Sequence, residues 1–152
     1  MRLEFNRRQA LAGAGAIVAL AAVGGLPGRA RAANDAQERL MAFTGGVEPQ
    51  MGRVMLDMPE IAENGNTVPM NVSVDSPMTE EDHVQRLLIL ADGNPQAGVA
   101  TFHFSPMSGV AQANTRIRLG ATQNVMAVAQ MSDGSFFMDV REVKVTIGGC
   151  GG

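Results

Sequence analysis

The stretch His83-Val-Gln-Arg-Leu-Leu-Ile-Leu-Ala-Asp-Gly-Asn-Pro-Gln-Ala-Gly-Val-Ala-Thr-Phe-His-Phe104 decides the class of the fold. From Val84 to Ala91 it is nearly continuous in apolar residues, the pattern of a buried strand. Asp92-Gly93-Asn94-Pro95 turns the chain. Val99 to Phe104 then alternates, with Phe102 and Phe104 on one face and Thr101 and His103 on the other.

The same strand-and-turn rhythm continues outward. Toward the C-terminus, Ser105-Pro106 to Gly109 turns, and Thr115 to Leu119 sets Ile117 and Leu119 against Arg116 and Arg118. Val125 to Met131 is mostly apolar, Asp133-Gly134 signals a hairpin, and Phe136 to Ile147 reads as the last strand. Toward the N-terminus, Val68 to Val74 alternates around Pro69, which suits an edge strand or a strand start. Glu63-Asn-Gly-Asn66 is a turn signal, because Asn-Gly readily takes positive φ. Gly52 to Asp57 alternates weakly and stops before Pro59. Asp35 to Phe43 predicts a short helix that Asn34 or Asp35 could cap and Gly45-Gly46 would end, with Leu40 and Phe43 docking on the body. About seven short strands, with turn signals roughly every 8–15 residues, predict an all-β, immunoglobulin-like antiparallel β-sandwich with a short N-terminal helix. The last strand poses a puzzle. Phe136, Met138 and Val140 share one parity, whereas Val143, Val145 and Ile147 share the other. A period of two cannot send both sets to one core, so a β-bulge is expected near Arg141-Glu142.

Residues 1–32 read as an export signal. Arg7-Arg8 is followed by a 13-residue apolar run, Leu11 to Val23, and by the small-residue site Ala30-Arg31-Ala32. The run is short of the roughly 20 residues a bilayer requires. The twin arginine points to the Tat route and a periplasmic destination, with cleavage after Ala32; the alternative is an uncleaved N-terminal anchor. The expected organisation is thus a Tat signal over 1–32, a β-sandwich over 33–147 and a short arm over 148–152. Removing Arg2, Arg7, Arg8, Arg29, Arg31 and Glu4 leaves 7 basic and 14 acidic residues, which moves the formal charge from −3 to −7. So acidic a domain argues against nucleic acid as a partner, since phosphate neutralisation calls for Lys and Arg.

Cysteine usage is the most informative feature. The chain has one cysteine, Cys150, inside Gly148-Gly149-Cys150-Gly151-Gly152. An exported cysteine normally pairs, and this one cannot pair within its own chain. With no second cysteine and no Cys/His cluster, no metal or cofactor is expected on it. Gly148, Gly149, Gly151 and Gly152 predict a flexible arm, since glycine-rich segments behave as coil and five extended residues reach about 16–18 Å. No histidine, cation or helix N-terminus adjoins the thiol in sequence, and a carboxylate at Gly152 would disfavour the thiolate. Activation would then come from a partner's active site, and the chain itself contributes no catalytic residue. Three functions remain open on these grounds: a thiol carrier, a stand-alone thiol-redox protein, and a structural module joined through an intermolecular disulfide.

Other candidates carry less. His83 and His103, the two histidines, stand 20 residues apart. Arg116 and Arg118 share a strand face and could contact an anion or a partner, although a solvated face is the simpler reading. The ten methionines after Ala32 are scattered and suit core filling.

The ending Val145-Thr-Ile-Gly-Gly-Cys-Gly-Gly152 resembles the signature of the SoxY family. Ile61 to Pro69, Val74 to Met78, Asn94-Pro95, Thr115 to Leu119 and Asp133-Gly134 are also similar to it. The resemblance implies a periplasmic sulfur carrier of thiosulfate oxidation that is not itself an enzyme. Its Cys150 would hold sulfur-oxyanion intermediates covalently, beginning with a cysteine S-thiosulfonate. It also implies a heterodimer with a SoxZ-like β-sandwich subunit. A c-type cytochrome would couple thiosulfate to the thiol, a metal-dependent hydrolase would remove sulfate, and a sulfur dehydrogenase would oxidise the remaining sulfane. No membrane association is implied once the signal is cleaved.

Overall fold

The computed structural model describes residues 35–148, and the readings made for residues 1–32 and 149–152 lie outside them. The elements run α1 (Ala36–Thr44), β1 (Gln50–Met51), β2 (Val54–Asp57), β3 (Ile61–Ala62), β4 (Val68–Val74), β5 (Val84–Ala91), β6 (Gly98–His103), a 3₁₀ turn (Pro106–Ser108), β7 (Ala111–Ile117), β8 (Gln123–Met131) and β9 (Phe136–Val145). Two sheets form the sandwich. The larger has the order β1-β9-β8-β5-β6, with β3 also on β9, and the smaller has the order β2-β4-β7. The seven longer strands pair antiparallel. The two-residue strands β1 and β3 run parallel to β9 and divide its outer edge between them.

The continuous apolar run of β5 has a two-sided cause. Leu87, Ile89 and Ala91 face the smaller sheet, in one core with Val68, Met70, Val72, Val125, Ala127, Ala129 and Val143. Leu88 and Leu90 face the other way, into a second cluster with Ala36, Ala97, Leu40, Phe43 and Met126. Helix α1 therefore lies on the outer face of the larger sheet. Burying each such side chain contributes about 1.5–3 kcal/mol, so the helix secures a face that would otherwise be wet.

This second cover also answers the parity puzzle of β9. The expected bulge is absent: β9 pairs with β8 without interruption from Gln130↔Phe136 to Gln123↔Val143. Instead, both faces are used. Phe137, Val143 and Val145 pack on the inter-sheet core. Phe136 meets Phe43 of α1 edge-on, with centroids 5.9 Å apart, and Met138 lines a hollow with Leu40, Met41 and Val47. Midway, the buried Asp139 carboxylate accepts the Leu56 N–H (2.9 Å), and Arg141 Nε donates to the Leu56 carbonyl (2.9 Å). These two side chains act as a sheet edge for β2 and tie the two layers together.

Two local expectations are corrected, and of the two alternatives open for Pro69 the strand start holds. Asp35 occupies the N-cap of α1 but makes no side-chain cap. Its carboxylate accepts the Ala97 N–H (2.8 Å) and Arg39 Nε (2.5 Å) instead, which pins the helix to the turn before β6. These bonds, Ala97 first, hold its pKa below the ordinary aspartate value. The turn at Asn64-Gly65 uses no positive φ. It is an Asx turn in which the Asn64 carboxamide oxygen accepts the Asn66 N–H (2.9 Å), leaving the Gly65 peptide groups for distant partners. Finally, β4 is the central strand of its sheet. Pro69 is tolerated because it lies at the strand start, beyond Asp57↔Asn71 where pairing with β2 ends.

Candidate functional site at the root of the C-terminal arm

The last described residues leave β9 at one end of the sandwich, where three segments hold them. On one side the Lys144 N–H donates to the Glu60 carbonyl (2.9 Å), and the Thr146 N–H donates to the Ala62 carbonyl (3.1 Å). Thr146 Oγ1 donates to the Glu63 carbonyl (2.8 Å), and the Gly65 N–H donates to the Ile147 carbonyl (2.7 Å). On the other side the Val145 N–H donates to Thr122 Oγ1 (3.0 Å). The Leu119 N–H donates to the Gly65 carbonyl (2.8 Å), so Gly65 joins the two flanking segments to each other.

Gly148 rests directly on the Gly120 carbonyl, so closely that a β-carbon at this position would collide with that oxygen. The ledge beneath it is itself braced. Asn94 Oδ1 accepts the Gly120 N–H (2.9 Å) and Gln123 Nε2 (2.9 Å), while Asn94 Nδ2 donates to the Arg118 carbonyl (2.9 Å). Gln123 Oε1 accepts the Gly93 N–H (2.8 Å). The turn read from Asp92-Gly93-Asn94-Pro95 thus holds the loop that meets the arm. Sequence reasoning identified that turn but not this role, which depends on a side chain 26 positions from its partner.

Of the sequence-predicted site residues, Cys150, Gly149, Gly151 and Gly152 lie outside the described residues, and Gly148 is placed as above. Arg116 and Arg118 are exposed. With Asn94, Val99, Phe102 and Ile117 they line an open groove of ≈ 450 Å³ between β6 and β7. The histidines belong to the opposite end. Gln123 pairs with Val143 at one end of β8, and Met131 pairs with Val84 at the other, about 26 Å away at strand spacing. His83 precedes Val84 and shares a hydrogen bond with the Thr79 carbonyl (3.0 Å), while His103 is exposed and in register with Arg86. Both lie far from the arm root. Among the described residues, no group of three or more His, Cys, Asp or Glu side chains gathers as a metal site.

Residues 40–150 match the family described as Sulfur oxidation protein SoxY, a span that reaches Cys150. Among solved structures, the sulfur carrier protein SoxY from Chlorobium limicola f thiosulfatophilum is 30% identical, with a TM-score of 0.60 over 71% of this chain and 89% of that one. The superoxide reductase (neelaredoxin) from Ignicoccus hospitalis is 14% identical, with a TM-score of 0.56 over 72% of this chain and 89% of that one. A putative superoxide reductase from Thermotoga maritima is 17% identical, with a TM-score of 0.52 over 68% and 89%. At those identities the reductases share the sandwich fold alone. No curated protein matches the chain.

Proposed function

The chain belongs to the SoxY family of sulfur oxidation proteins, and from that premise we propose that it holds thiosulfate-derived intermediates covalently on Cys150 and presents them to partner enzymes in the periplasm. Its role is that of a sulfur carrier in sulfur oxidation. The observation that carries the finer reading is the single thiol of the chain, set between two pairs of glycines and standing at the last residue of the family match.

The chemistry follows from what such a thiol can and cannot do. The Cys150 thiolate and the outer sulfur of thiosulfate form a sulfur–sulfur bond, and the electron pair released passes to a c-type cytochrome. Water then attacks the terminal sulfonate sulfur in a metal-dependent hydrolase. Sulfate leaves, and the sulfane sulfur stays on Cys150 as a persulfide, which a sulfur dehydrogenase oxidises. Every activating group belongs to a partner, in keeping with a thiol that has no cation or histidine beside it in sequence. A SoxZ-like subunit completes the carrier as a heterodimer, and the twin-arginine leader supports export of the folded chain.

Replacing Cys150 with Ser in a reconstituted system should abolish thiosulfate-dependent turnover while leaving thermal unfolding unchanged. Undiminished turnover would overturn the reading. Intact-mass measurement of the isolated protein should show adducts in steps of sulfur or sulfonate that disappear on reduction. A stable disulfide-linked pair of chains without such adducts would favour a structural role instead.

A further inference from the structure

We infer that Gly148 is the fixed seat of the carrier arm instead of its first joint, and that Asn94 is the positioning residue that holds the seat. The consequence for sulfur transfer rests on the carrier reading above; the seat itself does not.

Three independent observations converge on it. First, the backbone just before Gly148 is fastened. The Ile147 carbonyl is held by the Gly65 N–H, and Thr146 is held through both its N–H and its hydroxyl. A hinge at Gly148 would pull against those bonds. Second, Gly148 lies so close to the Gly120 carbonyl that no side chain fits between them, and its φ lies outside the left-handed region. Glycine serves closeness there, not an unusual backbone angle. Third, the Gly120 ledge cannot easily yield. Its N–H ends on Asn94 Oδ1, and the same side chain takes the Arg118 carbonyl. Gln123 locks that carboxamide in place through Oδ1. One side chain thereby fixes the peptides on either side of Leu119, whose own N–H returns to Gly65. Hydrogen bonds join brace to ledge, and the seat meets the ledge by close contact.

A fixed seat shortens the arm. Cys150 then stands two residues past the last fixed point, so its Cα stays within about 7.6 Å of the Gly148 Cα. A tether free from Ile147 would let Cys150 reach about 11 Å, so seating Gly148 takes about one residue from the reach of the thiol. A partner's active site must therefore come up to the rim formed by residues 61–66 and 118–122.

Backbone ¹⁵N relaxation of the full chain, with Cys150 reduced, tests the seat without reference to any carrier activity. The heteronuclear NOE of Gly148 should match that of Val145, and the value should fall from Gly149 to Gly151. A Gly148 value as low as that of Gly151 would overturn the seat. In Asn94→Ala the Gly148 NOE should drop while that of Val143 holds. The rate of Cys150 alkylation by iodoacetamide should stay unchanged, and partner-dependent turnover should fall about tenfold, the scale of misplacing a reacting group. An unaltered Gly148 NOE in that variant would remove Asn94 from the role. Gly148→Ala, which leaves Asn94 intact, should shift the Gly65 and Gly120 amide resonances, and unshifted resonances would count against the seat. If Cys150→Ser leaves turnover intact while Gly148 is rigid, the carrier reading fails and the seat stands. If Cys150→Ser abolishes turnover while Gly148 is loose, the seat fails and the carrier reading stands.

Discussion

Two glycines mark the two ends of the last strand, and they are there for different reasons. Gly134 precedes β9 in the turn from β8. It has φ +85°, and a β-carbon there would meet nothing within 4 Å. Gly148 follows β9 with an ordinary φ, and a β-carbon there would strike the Gly120 carbonyl. The first is chosen for its backbone, the second for the space it leaves. The surroundings differ in the same way. The Gly134 end is closed locally: the Asp133 carboxylate accepts the Ser135 N–H (2.8 Å) and hydroxyl (2.5 Å), and the Gly134 N–H returns to the Met131 carbonyl (3.1 Å). The Gly148 end is closed by residues from far along the chain, namely 60–65, 94 and 118–122. A local turn can be built by neighbours, but a seat for an arm needs the whole fold.

The contrast can be broken at either end. The largest effect is expected from Gly148→Val. A branched side chain driven into the ledge should cost about 1–3 kcal/mol, as overpacking does. Because Gly148 lies beyond β9, that cost should appear as release of the root. Amide exchange at Gly65 and Thr146 should accelerate at least about tenfold, since each 1.4 kcal/mol is a factor of ten, while exchange in β5 should hardly change. Retained protection at Gly65 would show that the root does not depend on the close approach.

A smaller, global loss is expected from Gly134→Ala. There is room for the methyl group, so only the left-handed backbone is penalised, by about 1–2 kcal/mol. Urea denaturation should show an earlier midpoint with an unchanged slope, and the Gly65 and Thr146 amides should keep their relative protection. Preferential loosening of the arm root in this variant would mean that the two ends are not independent.

The smallest effect concerns pH at the local turn. The Ser135 hydroxyl, and next the Ser135 N–H, hold the Asp133 carboxyl below its ordinary value near 3.8. A depressed folded pKa stabilises the turn above the unfolded value and loses that contribution as pH falls through the lower, folded one. Acid titration below about pH 4 should therefore loosen the Ser135 amide first. Asp133→Asn should flatten that response. A turn whose Ser135 amide exchanges identically in both proteins across this range would discount the carboxylate.

These two ends also show what could be read in advance. Asp133-Gly134 was legible because its partners are its neighbours. The alternation of Val99 to Phe104 and of Thr115 to Leu119, and the apolar run of β5, were legible because pleating sends successive side chains to opposite faces. Where the reading failed, the cause lay elsewhere in the chain. β9 looked as though it needed a bulge only while one covered face was assumed; α1, roughly 95 residues earlier, supplies a second cover for Phe136 and Met138. Asn64-Gly65 looked like a positive-φ turn until Ile147 and Leu119 claimed the Gly65 peptide groups.

The sequence alone determined the all-β class, the place of the short helix and the isolation of the single thiol among glycines. Each of these rests on residue type and short-range periodicity. Only the tertiary structure decided that α1 would cover part of the outer face of the larger sheet, that Asp139 and Arg141 would clasp Leu56, and that Gly148 would sit on a ledge held by Asn94. Those outcomes depend on which distant peptides and side chains arrive at the same place, and no local pattern in the chain encodes that meeting.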